Sequence, residues 1–388
     1  MKRTILTEEH EQFRKMVRDF IEREVAPHRE EWDEAGHPPR EFFKRLGELG
    51  ILGIQVPPEE FGGGGESSFV YNTIVFEEVA RAGVSFGGYT VHACLILPYL
   101  MEYATEEQKK RWLPGFSDGS IMTAIAMTEP GTGSTWPTSP PPRNCPRTAA
   151  TTSSTAPRRS SPAAPPPTSS SPCAAPRRST PDNRRGGLSI IAVPTATEGF
   201  SVGRKLKKLG LHQQDTAELS YSDVKVPVEN LLGEEGKGFS YLTHNLPQER
   251  LSIALNQVGF AEAAIAHAIA YTSDRKVFGK PVAAFQNTKF VLAECSAETQ
   301  MARVYVDHCL ELLDRKELTV ADAARAKLVC TEVAGRVIDK CLQLHGGYGY
   351  ITEYPPIARL YADTRVTRIY GGTSEVMKTI ISKDLGGL

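Results

Sequence analysis

The chain has 388 residues, 40% of them hydrophobic and 23% charged, with a net charge of −1. That is enough chain for two or three domains with a sizeable core, and it carries no global basic field toward nucleic acid. The seven cysteines form no CxxC and no metal-ligand spacing, which fits free thiols in a reducing compartment and no metal. No apolar run is read as long enough to span a membrane. The start, MKRTILTEEHEQF, is acidic by its eighth residue and lacks a signal-peptide core, so a cytoplasmic location is expected.

Residues 1–120 read as a helical domain. Thr7 is placed to cap a first helix, with Glu8 and Glu9 near its positive end. Phe13, Val17, Phe20 and Ile21 follow helical spacing. Further helices are predicted from Arg40 to Gly50, from Phe69 to Ala82 and from Thr90 to Tyr103. Thr105-Glu106-Glu107-Gln108 has the form of a capping box for a fifth.

Residues 121–234 change texture. Strands are predicted from Ile121 to Met127, from Gly187 to Pro194 and from Glu218 to Val226. Between the first two lies an anomaly. Residues 135–181 use only eight residue types and hold 13 of the chain's 27 prolines, with no acid, no glycine and no branched aliphatic. As written, no strand is expected there, because prolines remove ladder donors and nothing supplies the apolar side of a core.

Residues 235–388 return to helix. Long amphipathic stretches at Phe239–Thr272, Phe285–Leu313 and Thr319–Leu344, then Pro356–Arg365 and Ser374–Leu385, suggest a four-helix bundle.

Four segments carry chemical signal, each with a plain structural reading beside it. Ala126-Met127-Thr128-Glu129-Pro130-Gly131-Thr132-Gly133-Ser134 is a strand ending in a glycine-rich hydroxyl loop. It is either a turn or a close approach to a flat or phosphorylated ligand. Gln343-Leu344-His345-Gly346-Gly347-Tyr348-Gly349 reads as a helix C-cap. Tyr370-Gly371-Gly372-Thr373-Ser374-Glu375 places two glycines before a helix N-terminus, a site for carbonyl or phosphate oxygens. Leu246-Pro247-Gln248-Glu249-Arg250-Leu251 sits inside the long helix, where a Glu-Arg pair is usually a solvated face.

Together with Arg275–Gln286, in which RKxFGKPxxxFQ stands, these segments resemble the acyl-CoA dehydrogenase family in order and spacing. The resemblance covers residues 1–134 and about 186–388. It implies an α+β, mainly α fold: an N-terminal helical domain, a middle β-barrel disrupted here by residues 135–181, and a C-terminal four-helix bundle. It also implies FAD as cofactor, acyl-CoA as substrate, electron-transferring flavoprotein as partner, and a homotetramer built as a dimer of dimers.

The roles implied by the resemblance are these. Met127, Thr128 and Ser134 line the flavin and the start of the CoA chain. Arg275, Phe278 and Gln286 reach the FAD pyrophosphate and adenosine across a subunit interface. Gln343, Leu344, His345, Gly346 and Gly347 pass the neighbour's FAD, and Thr373 and Glu375 contact the flavin end. Gln248, Arg250, Gly371 and Gly372 border the substrate.

The reaction removes an α-proton from an acyl thioester and transfers the β-hydrogen as hydride to flavin N5, so a carboxylate must stand opposite the flavin. Many members carry it in the loop, at the position of Gly371, which has no side chain. Others carry it on the long helix, at the position of Glu249. The pair Gly371 and Glu249 resembles the long-chain group, so Glu249 is expected to be the base. Gly371 keeps a backbone N–H for the thioester carbonyl, and losing such a donor typically costs ~3–4 kcal/mol. The expected reaction is dehydrogenation of medium- to long-chain acyl-CoA in fatty-acid β-oxidation. Alternatives are a branched short-chain, isovaleryl-like dehydrogenase and an inactive CoA- or flavin-binding scaffold.

In this family residues 135–181 should continue the barrel with a strand facing the flavin. A one-nucleotide displacement of the reading frame accounts for the anomaly. Ser codons (TCx) then become Phe, Leu, Ile or Val codons, and Thr codons become Tyr, His, Asn or Asp codons. Residues 151–162 then permit His-Tyr-Val-Leu-Asn-Gly-Ala-Lys-Thr-Phe-Ile-Thr, which holds the missing strand. Two compensating insertions or deletions would produce it. The alternative is a genuine Pro/Ser/Thr-rich insertion, rare at this length in a compact domain.

Overall fold

The computed structural model describes residues 3–128, 148–152, 170–176, 188–354 and 356–386. The first helices are α1 (Glu8–Phe20), α2 (Arg29–Ala35), α3 (Arg40–Glu48), α4 (Pro58–Phe61) and α5 (Val70–Ala82). Thr7 caps α1 as expected, its hydroxyl accepting from the His10 N–H. The helix predicted over Thr90–Tyr103 divides into a π-helical turn, Thr90–Ile96, and α6 (Leu97–Tyr103). Pro98 explains the division, because it has no N–H to offer the Cys94 carbonyl. α7 (Glu106–Ser117) opens with the predicted capping box. The Gln108 N–H donates to Thr105 Oγ1 (3.2 Å), and the Thr105 N–H donates to Gln108 Oε1 (2.9 Å).

The sheet strands are β1 (Ile125–Thr128), β2 (Thr148–Thr152), β3 (Ser170–Pro176), β4 (Leu188–Pro194), β5 (Phe200–Lys205), β6 (Thr216–Tyr221) and β7 (Leu231–Leu232). They form one sheet in the order β5-β6-β2-β1-β3-β4-β7. β1 pairs antiparallel with β2 and parallel with β3. Among the described residues the order is open, with β5 and β7 at its two ends.

Three sequence expectations change here. The first strand begins at Ile125 rather than Ile121. The Ile121 N–H bonds to the Gly115 carbonyl (2.7 Å) and the Thr123 N–H to His92 Nδ1 (3.2 Å), so this stretch is committed to the helices and not to a ladder. The third predicted strand runs from Thr216 to Tyr221 rather than from Glu218 to Val226. The Ser222 N–H turns to the Gly199 carbonyl (2.9 Å), and Asp223 takes a positive φ of 51°. Residues 135–181 were expected to hold no strand, yet β2 and β3 lie within them. Their neighbours β1, β4 and β6 present backbone donors and acceptors that need partners, and that demand overrides composition. β3 lies between β1 and β4, with Pro172 opposite Ala192, a place where proline is ordinarily excluded.

The C-terminal helices are α8 (Gly238–Asp274), α9 (Gln286–Asp314), α10 (Val320–His345), α11 (Ile357–Thr364) and α12 (Ser374–Asp384). α8, α9 and α10 pack mutually, α11 and α12 lie on α10, and α5 packs on α8. One apolar core therefore joins the N-terminal helices to the bundle, from Phe20 and Phe42 through Leu251 and Val258 to Val337. By length and composition α8 is apolar enough to cross a membrane, which corrects the expectation from sequence. Most of its apolar stretch is buried. The cysteines at 94, 295, 309, 330 and 341 are free and buried, as small core hydrophobes should be.

Candidate active site

A cavity of about 790 Å³ opens between α5, the π-helical turn, β1, α8 and the Tyr370–Gly372 loop. Its wall contains Met127 and Thr128 of β1, Glu249 and Arg250 of α8, and Gly371 and Gly372 of the loop. Sequence spacing had separated these residues by more than a hundred positions; the fold brings them to one chamber.

Glu249 faces that chamber but is otherwise enclosed by protein. Burial raises its carboxyl to a pKa of about 7, against the opposing pull of Arg250 and Lys327. A pKa near neutrality suits a group that must accept a proton at ordinary pH. The neighbouring Gln248 has a structural duty as well. Its side-chain amide donates to the Cys94 carbonyl (3.4 Å), the acceptor that Pro98 cannot serve.

Gly371 and Gly372 have φ values of 62° and 98°, so both lie where only glycine is comfortable. A Cβ added to Gly371 would meet Ile253 Cδ1 at 2.7 Å and would lie 3.4 Å from Glu249 Oε1. The missing loop side chain and the helix carboxylate therefore occupy adjoining space. Arg250 is buried, and its Nε donates to the Gly371 carbonyl (3.3 Å).

Lys327 is the residue that sequence reasoning missed. It is 1% exposed. Its ammonium donates to the Thr367 carbonyl (2.9 Å) and the Gly372 carbonyl (2.7 Å). The signal was present, because Lys327 stands on the same α10 stripe as Ala323, Ala324, Cys330 and Ala334, all buried. A lysine on an apolar helix stripe is rarely buried without a task.

The remaining expected residues form a second group outside the chamber. Arg275 is exposed, and its guanidinium lies 5.7 Å from the Tyr348 ring centroid. Phe278 is 95% exposed with φ 50°, and Gln286 and Gln343 are exposed. Leu344 is half-buried. His345 is stacked on Tyr271 at 4.5 Å, and its Nδ1 lies 2.7 Å from the Cys341 carbonyl, so its ring serves the helix end. Gly346 and Gly347 have open space where side chains would be. Arg275 caps the helix that carries Glu249, 26 residues on, which at 1.5 Å per residue is about 39 Å away. Thr373 caps α12 by accepting from the Val376 N–H (3.3 Å), and Glu375 is exposed in its first turn. Ser134 lies outside the described residues.

Residues 7–120 match the family description "Acyl-CoA dehydrogenase, N-terminal domain", and residues 236–386 match "Acyl-CoA dehydrogenase, C-terminal domain". The mitochondrial long-chain specific acyl-CoA dehydrogenase of Sus scrofa is 40% identical over 384 residues, covering 99% of this chain and 88% of that protein. The crystal structure of an acyl-CoA dehydrogenase from Geobacillus kaustophilus superposes with a TM-score of 0.88 at 39% identity, covering 99% of this chain and 100% of that one. A glutaryl-CoA dehydrogenase from Mycobacterium smegmatis, solved in complex with FADH2, has a TM-score of 0.82 at 25% identity over 99% of this chain and 96% of that one. A chamber lined from the N-terminal helices, the sheet and the bundle, a helix-borne carboxylate and this similarity define an oxidoreductase of the flavin-dependent acyl-thioester class. The chain belongs to the acyl-CoA dehydrogenase family, and its cofactor is FAD.

Proposed function

We infer that the protein dehydrogenates medium- to long-chain acyl-CoA thioesters between the α and β carbons, with Glu249 as the base. The observation that carries this reading is the juxtaposition of the Glu249 carboxylate with the bare Gly371 loop inside one chamber. Bound FAD supplies the acceptor for the β-hydrogen, which leaves with its electron pair. Glu249 takes the α-proton, and the carbon–carbon double bond forms from the electrons of that C–H bond. The Gly371 N–H donates to the thioester oxygen as negative charge grows there. Met127 and Thr128 would hold the flavin end of the cofactor, and the chamber's apolar depth between α5 and α8, at Val75, Val79 and Phe260, would take the acyl chain.

The exposed group around Arg275, Phe278, Gln286 and Gly346–Gly347 fits the adenosine half of a cofactor. Two glycines leave an open cradle, and a guanidinium stands ready for phosphate. At about 39 Å along one helix from Glu249, this group serves a neighbouring subunit's FAD. That requires a homotetramer or at least its dimer. Electron-transferring flavoprotein is the acceptor in this reading, fatty-acid β-oxidation the setting and the cytoplasm the location.

The test is direct. Purified protein should be yellow and bleached by straight-chain acyl-CoA, with the highest kcat/KM for medium to long chains. A maximum at isovaleryl-CoA would replace the substrate with a branched short one. A second reading is an inactive CoA- or flavin-binding scaffold, favoured by the proline placed inside the central strand β3. Colourless protein, or yellow protein that no acyl-CoA bleaches, would establish it. The peptide mass of residues 130–185 and the coding DNA report whether the reading frame is displaced there. Codons that give no strand-like reading in either shifted frame would sink that idea.

A further inference from the structure

Lys327 is buried at a cost that its surroundings must offset, since an enclosed ammonium without partners is strongly unfavourable. A methionine would fill the same stripe of α10 without that cost. The lysine instead reaches the active-site loop, where its two hydrogen bonds bracket Gly371. One goes to Thr367, before the loop, and one to Gly372, its last residue. Arg250 grips the intervening carbonyl of Gly371. Two cations thus hold the two carbonyls that follow the Gly371 N–H, those of Gly371 and Gly372, and so fix the loop on the C-terminal side of the oxyanion donor. The Lys327 stem also borders the spot that the base borders. Its Cε and Glu249 Oε1 each lie 3.4 Å from the point where a Gly371 side chain would begin.

We propose that Lys327 is a positioning residue of the dehydrogenation, which locks the Gly371 donor in place and holds a positive charge behind the Glu249 base. The inference rests on Glu249 being that base. The charged and titratable groups around the pair are Glu249 and Arg250 from α8, Tyr99 from α6 and Tyr370 from the loop. Burial and Arg250 bring the Lys327 pKa down to about 8, while Glu249 opposes that shift. The electrostatic sign is therefore definite: removing the ammonium raises the pKa of the carboxylate it faces.

The experiment compares Lys327→Met and Lys327→Arg in the FAD-loaded enzyme, with flavin content and melting temperature measured alongside. Lys327→Met should lower kcat by about tenfold or more with a smaller change in KM. It should also move the acid limb of kcat/KM upward by about half a unit or more. Lys327→Arg keeps the charge but not the two-carbonyl grip, so its kcat should fall while the acid limb stays. Wild-type kcat and an unmoved limb in Lys327→Met would overturn the proposal. So would an equal shift of the limb in both variants. If Lys327→Met does not bind flavin, Lys327→Arg decides alone, and wild-type kcat in it overturns the grip. A fully active Glu249→Gln enzyme would instead overturn the base assignment. An inactive Glu249→Gln beside an unaffected Lys327→Met would overturn the role of Lys327 only.

Discussion

Two clusters of buried charge lie along the bundle, and they are built on opposite plans. Around Arg303, which is 1% exposed, every charge has an opposite charge in contact. Arg303 meets Glu77 at 3.0 Å and Glu262 at 2.7 Å. Arg3 meets Glu77 at 2.6 Å and Asp307 at 2.7 Å, and Arg14 meets Glu77 at 2.8 Å. These contacts tie the N-terminal segment, α5, α8 and α9 together. They overcome desolvation, so Glu77 is held below the ordinary carboxylate range and Arg303 above its own. Around Glu249 the cations Arg250 and Lys327 direct their hydrogen bonds to backbone carbonyls instead. Desolvation wins there, and the carboxyl and the ammonium shift toward each other, to about 7 and about 8. Matched partners make charge inert and cohesive, whereas charge tied to the backbone stays ready to exchange a proton.

The comparison has a large effect at its reactive end. Glu249→Gln should lower kcat by about 10²–10⁴-fold, the usual worth of a positioned base, while flavin binding persists. Near-wild-type turnover of a saturating acyl-CoA would break the contrast outright. In the unmodified enzyme kcat/KM should rise with pH through about 7, as Glu249 loses its proton; a limb near the ordinary carboxylate range would show that burial does not govern it.

At the cohesive end, Arg303→Met should destabilise the fold by about 3–5 kcal/mol, because it leaves Glu77 buried with fewer cations. Denaturant unfolding would report the loss, and activity per bound flavin should hold. A variant of full stability and reduced turnover would reverse the roles of the two clusters.

A smaller effect follows from linkage at Glu249. Its folded pKa lies above its unfolded value of 4.5. Between 4.5 and about 7 the folded state holds the proton more tightly, so folding stability falls as pH rises through that window. Glu249→Gln should therefore melt a few degrees higher than wild type above pH 7, by about 2–4 °C per kcal/mol regained. The two should converge at acid pH, and an equal gain at all pH values would refute the electrostatic cause.

A further effect, confined to acid pH, concerns a buried group that avoids charge altogether. His92 lies against Phe116 with ring centroids 3.6 Å apart and is pushed down to about 3 by burial. Its stability contribution is present above pH 6.5 and is lost as pH falls toward 3, since only the unfolded chain takes up the proton. The slope is at most about 1.4 kcal/mol per pH unit, and His92→Gln should flatten it in acid melting curves.

Legibility in the sequence followed the range of the forces involved. The Thr105–Gln108 box was readable because both partners lie within one turn. The long helices were readable because their periodicity is local, and Glu249 because the loop position opposite it is glycine. Lys327 was not read, since its partners at Thr367 and Gly372 are some forty residues away. The true start of β1 depended on His92, which comes from another element. β2 and β3 went unforeseen because the demand for them comes from their neighbours and not from their own residues.

The closeness of Gly371 to Glu249 has a consequence for how such enzymes change over generations. A carboxylate can enter the same spot from the loop or from the helix, so either element could carry a base there without redesigning the chamber. The passage is narrow. Holding both carboxylates would crowd like charges within a few ångströms, and holding neither would leave the proton without a receiver. The positive φ of Gly371 and the Ile253 methyl against it disfavour a side chain on the loop, which leaves the helix carboxylate alone at that spot.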